Sequence, residues 1–508
     1  MKSGLYGRLF SGGLIILVGN VLGMGIAFLT RIVLARLLGV SGYGILAFCV
    51  SLLELLVLLT SLGLEEGVAR NIPRAEDSGS VFLTAVEVAF ATAVGAAVAL
   101  ALLSSIVSRL FLVPSAVPVV ILFALALPFQ SVVWLSLGGF RGIGDASRIA
   151  FVQNVVLRGA IIVLAVAGIY LGYGIVGAAA GWALGTAITA GLSIFILVRE
   201  TDLLSSTQRT FTRLSEHTGP LLRFSVPLVI ATAAWQLIQA TDDMIIGYSL
   251  SPAQIGVFDA AFTTGRIMLL FVWSFSALFL PIFSQLDDED ADTEEMSRLY
   301  TLMAKWVVVL TLPIFLFVVG FPEAIMTALF GDAYASGGLV LAIVVVGFFV
   351  EVATGMTRAA LTAIGDTRFI FWTTTGTLVA NVVLGFLLIS SFGIGGVAAA
   401  TALTYAALNV ASAVRLYLVR EFHAISSALV RVTVSTTVLF ALLYVAFGSW
   451  IRSSLLTVLL AGMGFYAVHL IVFFAVGGLE TEDMTLLRQY TSTIPINLQP
   501  LFDLLERG

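Results

Sequence analysis

Apolar runs of about 20 residues recur along nearly the whole chain, and they constrain its fold more than any other feature. A helix of this length crosses the ~30 Å hydrocarbon core of a bilayer while bonding its own backbone polar groups. The chain is also 59% hydrophobic and only 11% charged, which is outside the range of soluble domains. The sequence therefore predicts an all-α integral membrane protein with about fourteen transmembrane helices, near residues 12–36, 42–63, 81–104, 116–138, 149–170, 174–198, 222–248, 257–283, 301–320, 336–357, 369–391, 395–418, 429–448 and 454–476.

Positive charge is distributed unevenly between the two sets of loops that these helices would create. Arginine and lysine cluster in the N-terminus and in alternate loops, whereas the intervening loops hold little beyond Arg36, Arg109 and Arg452. Loops rich in arginine and lysine stay in the cytoplasm during insertion. We therefore expect a multi-pass protein of the cell membrane, with both termini in the cytoplasm and an even number of helices.

Several classes of function are disfavoured by composition and by missing motifs. The formal net charge is -5, so nucleic acid is not an expected partner. The sequence holds one cysteine and three widely spaced histidines, and it shows no metal-ligand spacing, no P-loop and no catalytic grouping. We therefore predict a protein that is not an enzyme and has no cofactor. The acidic run Asp287–Glu295 and the scarcity of lysine are typical of salt-loving archaea, although a solvated loop explains them equally.

An internal repeat is visible in three short motifs that recur in the same order, about 210–220 residues apart. The matched motifs are Gly42-Tyr43-Gly44 with Gln254-Ile255-Gly256, Ile143-Gly144-Asp145 with Ile364-Gly365-Asp366, and Gly174-Ile175-Val176-Gly177 with Gly393-Ile394-Gly395-Gly396. The repeat predicts two six-helix bundles related by a pseudo-two-fold axis along the membrane normal, with two extra C-terminal helices and a cavity between the lobes. The predicted regions are an N-terminal bundle (1–199), a cytoplasmic linker (200–221), a C-terminal bundle (222–420), two further helices (421–478) and a cytoplasmic tail (479–508).

Arg31 is the most unusual residue of the first predicted helix. An arginine inside an apolar run costs roughly 2.5–3.5 kcal/mol on insertion scales. Steps of four, three and four residues place Asn20, Met24, Ala27 and Arg31 on one helix face. This polar face is expected to turn inward, either packed tightly or lining a wet cavity. The alternative is an arginine that snorkels to the helix end.

On the register of the repeat, Arg31 aligns with Asp243, and Glu54 aligns with Arg266. A rise of 1.5 Å per residue places Asp243 and Arg266 within a few ångströms in depth, so these two could form an ion pair. Arg31 and Glu54 differ by roughly 10 Å, so no direct bond is expected there. The polar stripe of the seventh predicted helix contains Thr232, Gln236, Gln239 and Asp243. Asp242 points about 100° away from Asp243 and is ranked lower.

Other polar residues in apolar runs have structural explanations as good as functional ones. Glu87, Arg158 and Glu351 could form ion pairs or lie at helix ends, and Asn381 and Asn409 could bond a neighbouring helix. Prolines that free backbone groups, and the paired Ile-Gly-Asp turns, are candidate hinges or packing kinks. The hinge candidates are Pro227, Gly144 and Gly365, with Pro128 and Pro313 inside other helices.

The segments LARLLGVSGYGILAF, SLGLEEGVARNIPR and GFRGIGD resemble the oligosaccharide-lipid flippases of polysaccharide biosynthesis. These proteins belong to the multidrug/oligosaccharidyl-lipid/polysaccharide (MOP) exporter superfamily, and the likeness covers residues 1–476. The tail beyond Glu480 resembles the short tails of haloarchaeal members. The resemblance implies two bundles that alternate access, and a polyprenyl (dolichyl or undecaprenyl) phosphate- or pyrophosphate-linked oligosaccharide as the substrate.

The resemblance also implies roles for particular residues. Arg31 and Arg266 would contact the anionic linkage, with Asn20, Glu54, Gln236 and Gln239 completing the substrate site. Asp243 and Asn381 match positions that hold a coupling Na⁺ or H⁺ in related transporters. Expected partners are the lipid-linked oligosaccharide, membrane lipids, and glycosyltransferases or an oligosaccharyltransferase or polymerase of the same pathway. This sequence differs from the family pattern in one respect. Glu54 and Asp243 lie beside the arginines, so the expected cavity is not strongly basic.

Three alternatives remain open from the sequence. A drug or metabolite antiporter of the same superfamily would bind small cations at the acidic residues. A membrane glycosyltransferase or polymerase would need a larger loop outside the membrane than this chain has. A scaffold without transport activity would not explain the repeat and the buried charges on the expected cavity helices.

Overall fold

The computed structural model describes residues 2–75, 77–201, 203, 236–288, 293–451, 454–480 and 483, with the side chains of its first helix from Leu22 onward. This part of the chain is helical almost throughout. The helices are α1 (Lys2–Ser61), α2 (Leu64–Asn71), α3 (Ser78–Phe111), α4 (Val117–Gly142), α5 (Ala146–Ala150), α6 (Arg158–Gly168), α7 (Gly174–Glu200), α8 (236–249), α9 (Pro252–Arg266), α10 (Leu269–Asp288), α11 (Thr293–Gly320), α12 (Pro322–Phe330), α13 (Gly337–Thr354), α14 (Thr357–Ala363), α15 (Thr367–Arg420), α16 (Ser427–Phe447) and α17 (Leu455–Ala475).

The predicted all-α membrane fold is confirmed. Within the described residues, nine helices are long and apolar enough to span a membrane, or up to ten if the bent pair Pro252–Arg266 and Leu269–Ser276 counts as one. The longest helices contain breaks where the sequence predicts a loop between two spans, at Gly39 in α1 and at Gly393 in α15. Counting each half as a separate span is compatible with about fourteen helices.

The helix α3 shows why these segments pack as they do. Ala85, Ala89 and Ala93 recur every four residues and are fully buried, so this face admits a close neighbour. Large apolar side chains cover the opposite face, where Leu102 is 78% exposed. This exposure suits a side chain in contact with lipid, because hydrocarbon tails are as apolar as leucine.

The repeated Ile-Gly-Asp turns have the same local conformation. Gly144 and Gly365 both have φ +76°, a region that favours glycine. The amides after these glycines also match: Asp145 N donates to Phe140 O at 2.9 Å, and Asp366 N donates to Leu361 O at 3.0 Å. Each turn therefore ends one helix and starts the next in the same way, as expected of an internal repeat.

The chain divides by internal contacts into two compact units. Unit 1 contains Met1–Gly265, Leu329–Val344 and Arg368–Thr404, and unit 2 contains Arg266–Ala328, Val345–Thr367 and Tyr405–Gly508. In unit 1 a core forms around Phe82 and Phe140 of α3 and α4. In unit 2 the buried ammonium of Lys305 pairs with Glu480 at 2.9 Å and Asp483 at 2.5 Å. The region boundaries predicted from the repeat stay a prediction.

Candidate functional site

Unit 1 encloses a cavity of about 250 Å³ whose wall mixes polar and aromatic side chains. Its residues come from α1, α4, α6, α7, α9 and the segment that leads into α6. The polar and aromatic residues that line it are Thr30, Arg31, Tyr43, Glu54, Gln130, Trp134, Gln153, Arg158, Trp182 and Asp259. The remaining lining residues are mainly apolar, so the cavity is a polar site within an apolar unit.

Arg31 is tied to α9 through one carboxylate and one hydroxyl. Its Nη1 lies 2.5 Å from Asp259 Oδ1 and donates to Thr263 Oγ1 at 2.8 Å. The two partners are four residues apart and therefore share one face of α9. The Arg31 side chain is 27% exposed and that of Asp259 only 2%, so the ion pair lies at the cavity wall. Arg31 is thus a cavity residue, and snorkelling does not explain it.

Asp259 also joins Arg31 to the segment that follows the break in α1. The hydroxyl of Tyr43 donates to Asp259 Oδ2 at 2.5 Å, so each carboxylate oxygen has a partner. Burial and the charge of Asp259 raise the pKa of Tyr334 above its usual range. The Tyr334 hydroxyl donates to Ala35 O at 3.2 Å.

The first pair of repeated motifs meets beside this network. A Cβ on Gly44 would lie 1.8 Å from Pro252 O, and a Cβ on Gly256 would lie 2.4 Å from Val40 O. Neither site can hold a larger residue unless the backbone moves. The glycines of the two repeats therefore allow α1 and α9 to pack backbone against backbone, which brings Tyr43 and Arg31 to Asp259.

The neighbouring aspartates of α8 have different partners. Asp243 accepts a hydrogen bond from the Ser51 hydroxyl. Asp242 Oδ2 accepts from Thr401 Oγ1 at 2.7 Å, and Asn381 Nδ2 donates to the same Thr401 oxygen at 3.0 Å. Thr401 therefore links Asn381 to Asp242, whereas the sequence-based prediction groups Asn381 with Asp243, and the roles of both aspartates stay a prediction.

The cluster of Asp242, Asn381 and Thr401 offers oxygen ligands to a cation. Asp242 Oδ1 and Asn381 Oδ1 are buried and have no hydrogen-bond partner within the described residues. Oxygen-only ligand sets suit hard cations. The described part of the chain holds no group of three or more His, Cys, Asp or Glu residues that could bind a metal.

The other predicted site residues are distributed between the two units. Glu54 lines the cavity and attracts Arg31 electrostatically. Gln236 and Gln239 lie on α8 and are not among the cavity-lining residues. In unit 2 the Arg266 guanidinium lies over Trp273, 5.3 Å from the ring centroid. The Asn20 side chain and Pro227 fall outside the described residues, and the Arg266–Asp243 ion pair stays a prediction.

Three further polar residues have clear placements. Glu87 is exposed on α3, and Glu351 is buried on α13 with Oε2 unbonded to any described residue. Asn409 Nδ2 donates to Tyr405 O at 3.0 Å. This bond lies within one helix, and the expected bond from Asn409 to a neighbouring helix stays a prediction.

The sequence analysis did not identify several residues of these sites, namely Asp259, Ser51, Thr401 and the cavity tryptophans Trp134 and Trp182. Asp259 carried one usable signal, because it is an aspartate in the apolar stretch between Gly256 and Arg266. Its aligned position in the first repeat is Ala47, so the repeat drew no attention to it. Ser51 and Thr401 carried no signal, since hydroxyls are common in membrane helices.

A family model described as "Polysaccharide biosynthesis protein" matches residues 9–287, which is more than half of the chain. A relative, the "Probable low-salt glycan biosynthesis flippase Agl15" of Haloferax volcanii, is 21% identical over 393 residues, covering 77% of this chain and 79% of that protein.

Two solved structures share the fold. "Lipid II flippase MurJ" in an inward closed conformation has a TM-score of 0.73 at 13% identity, covering 91% of this chain and 99% of that one. An inward-facing multidrug resistance MATE family transporter of the MOP superfamily has a TM-score of 0.62 at 17% identity, covering 78% and 94%.

Proposed function

The chain belongs to the polysaccharide biosynthesis protein family, and we propose that it translocates a polyprenyl-linked oligosaccharide, joined through phosphate or pyrophosphate, across the cell membrane by alternating access. The termini lie in the cytoplasm, where the head group is loaded. If the cell is archaeal, the carrier is a dolichol-type lipid. Glycosyltransferases supply the substrate, and an oligosaccharyltransferase or polymerase consumes it on the outer face.

The observation that carries this proposal is the chemistry of the cavity in unit 1. Trp134 and Trp182 offer apolar ring faces that suit the C–H faces of sugar rings. Gln130 and Gln153 carry amides, which both donate to and accept from hydroxyls. Arg31 and Arg158 supply cations for an anionic linkage. A phosphorylated carbohydrate needs all three kinds of contact in one place.

The Arg31–Asp259 ion pair supports a link between binding and movement. A phosphate that reaches Arg31 competes with Asp259 for its nitrogen atoms, because both are oxyanions. If Arg31 exchanged Asp259 for the phosphate, the contact between α1 and α9 would weaken. Gly44 and Gly256 also form part of this contact. The ligand thus stabilises a conformation in which these helices are apart, which gives it the differential affinity that a conformational change requires.

A coupling cation is the second part of the proposal. Asp242, Asn381 and Thr401 would supply carboxylate, amide and hydroxyl oxygens to Na⁺, or Asp242 would take up H⁺. The unbonded oxygens of Asp242 and Asn381 support this assignment over one centred on Asp243, whose carboxylate is bonded to Ser51. A cation there would neutralise a buried carboxylate that lacks a cationic partner among the described residues.

An ion-coupled antiporter of drugs or metabolites is the alternative function. The observation that favours it is the number of carboxylates, since Glu54 and Asp259 line the same cavity as the arginines. Such a transporter would bind organic cations at these acids and would not depend on Arg31.

The two functions are separated by equilibrium binding to purified protein. We expect a fluorescent polyprenyl-phosphate-linked oligosaccharide to bind the wild type and to bind Arg31→Ala and Arg266→Ala more weakly. Arg109→Ala is the matched control, since Arg109 is exposed near the end of α3. If organic cations displace the probe and the arginine variants bind it as well as the wild type, the antiporter is the better account.

A further inference from the structure

We infer that Arg158 forms an anion subsite in the cavity of unit 1 that is separate from Arg31, with Asn154 as its buried neighbour. It would take an anionic oxygen group of the ligand, either the phosphate linkage or a carboxylate on the glycan. This inference rests on the proposed function, because it assigns part of the substrate to particular residues.

The first observation is that Arg158 has no ionic partner in the part of the chain that the structure describes. Nη1 of Arg158 is buried and has no hydrogen-bond partner within the described residues. None of the ion pairs in that part of the chain includes Arg158. Arg31 differs, because Asp259 pairs with it directly and Glu54 attracts it. Among the described residues, the cavity therefore holds one arginine in an ion pair and one outside any ion pair.

A second unsatisfied donor lies beside this arginine. Asn154 is 5% exposed, and its Nδ2 has no hydrogen-bond partner within the described residues. A buried donor that lacks a partner costs about 1–3 kcal/mol, and more if it is charged. Arg158 lines the cavity, whereas Asn154 is buried one helical turn before it and is not among the lining residues. An oxyanion in the cavity can therefore accept from Arg158, and Asn154 lies beside that guanidinium.

The local backbone supports this placement. Phe151–Leu157 forms a π-helical turn between α5 and α6, and such turns are frequent at functional sites. Its i→i+5 bonding pattern allows Gln153 and Arg158, five residues apart, to line the same cavity. Gln153 can then add an amide donor next to the guanidinium.

Gly23 of α1 leaves the space that Asn154 and Arg158 occupy. A Cβ on Gly23 would lie 1.9 Å from Asn154 Oδ1 and 2.5 Å from Arg158 Nη1. Gly23 precedes Arg31 by eight residues, which is about 12 Å of helical rise. The guanidinium groups of Arg31 and Arg158 thus lie at different depths along α1. A ligand with two anionic groups could therefore contact both arginines.

The test measures binding of three probes to the purified full chain: a short-chain polyprenyl monophosphate without sugar, an oligosaccharide that contains glucuronic acid, and its neutral glucose counterpart. We expect Arg158→Gln to weaken binding of at least one anionic probe by about tenfold or more, as loss of a charged hydrogen bond should. Arg158→Lys should restore part of that affinity, and binding of the neutral probe should not change.

Two variants test the subsite without removing the arginine. Gly23→Ala should weaken the same anionic probe by displacing Asn154 and Arg158, whereas Gly25→Ala should not, since a Cβ there meets no atom within 4 Å. Asn154→Asp would supply an internal carboxylate to Arg158, so it should preserve the fold and reduce anion binding.

The affected probe identifies the source of the anion. Loss confined to the monophosphate assigns the subsite to the carrier phosphate, and loss confined to the glucuronate probe assigns it to an acidic sugar. The inference is overturned if Arg158→Gln and Gly23→Ala bind both anionic probes as the wild type does. Because binding is measured without transport, a protein that binds through Arg158 and moves no glycan lipid would contradict the proposed function alone.

Discussion

At the scale of single residues, the Arg31–Asp259 ion pair joins α1 to α9. Breaking a buried ion pair leaves one charge without compensation and costs about 3–5 kcal/mol. We therefore expect Arg31→Met to destabilise the protein by about that amount, because Asp259 stays buried. The double variant Arg31→Met/Asp259→Asn removes both charges and should recover most of the loss. The measurement is the unfolding midpoint in detergent, and simple additivity of the two single variants would contradict a direct pair.

The two adjacent aspartates of α8 make a second prediction. A cation that binds only the folded protein raises its unfolding temperature with concentration. We expect Na⁺ to raise the unfolding temperature of the wild type relative to choline at equal ionic strength. Asp242→Asn should abolish this effect and Asp243→Asn should retain it. The reverse pattern would place the coupling cation at Asp243, as the sequence alone indicated.

Sequence reasoning alone could not predict which partners these two aspartates have, for a physical reason. Helical periodicity fixes the angle between Asp242 and Asp243, but it does not fix which neighbours surround the helix. In unit 1 both carboxylates are buried, at 0% and 1% exposure, so α8 packs on more than one face. A single inward stripe therefore does not include every buried polar residue of this helix. Asp259 was missed because its importance comes from a partner 228 residues away.

At the scale of elements, the two Ile-Gly-Asp turns are the part of the internal repeat that the sequence predicts best. Gly144 needs a positive φ, and an L-residue in the left-handed region costs roughly 1–2 kcal/mol. We expect Gly144→Ala to destabilise the protein by about this amount. Gly159→Ala is the matched control, because Gly159 lies inside α6 with open space around a Cβ. A thermal unfolding series in which Gly144→Ala equals or exceeds the wild type in stability would contradict the turn's role.

Helix breaks were also predictable, because glycine motifs and loss of apolar character mark them locally. Gly174 and Gly393, which align in the repeat, have φ +52° and +56°. The π-helical turn at Phe151–Leu157 was not predictable, since its residues read as an ordinary apolar helix. The cavity was not predictable from the sequence either. Trp134 and Trp182 lie on different helices, and no local pattern indicates that both line one cavity.

At the scale of the whole molecule, the fold and the family agree with the sequence-based interpretation. The identity of the substrate is a proposal. The fold is shared by a lipid II flippase and by a multidrug transporter, so fold alone does not choose between glycan lipid and drug. The choice depends on the cavity, where aromatic rings, amides and two arginines meet two carboxylates.

The most direct measurement is translocation of a fluorescent polyprenyl-linked glycan in proteoliposomes that contain the wild type, Arg31→Ala/Arg266→Ala or Arg109→Ala. We predict that the wild type and Arg109→Ala move the glycan lipid faster than protein-free vesicles do, and that the double variant, folded to the same extent, does not. The contrary result is a wild type that moves no glycan lipid but exchanges organic cations for Na⁺ or H⁺. That outcome would keep the fold and the family and replace the proposed substrate.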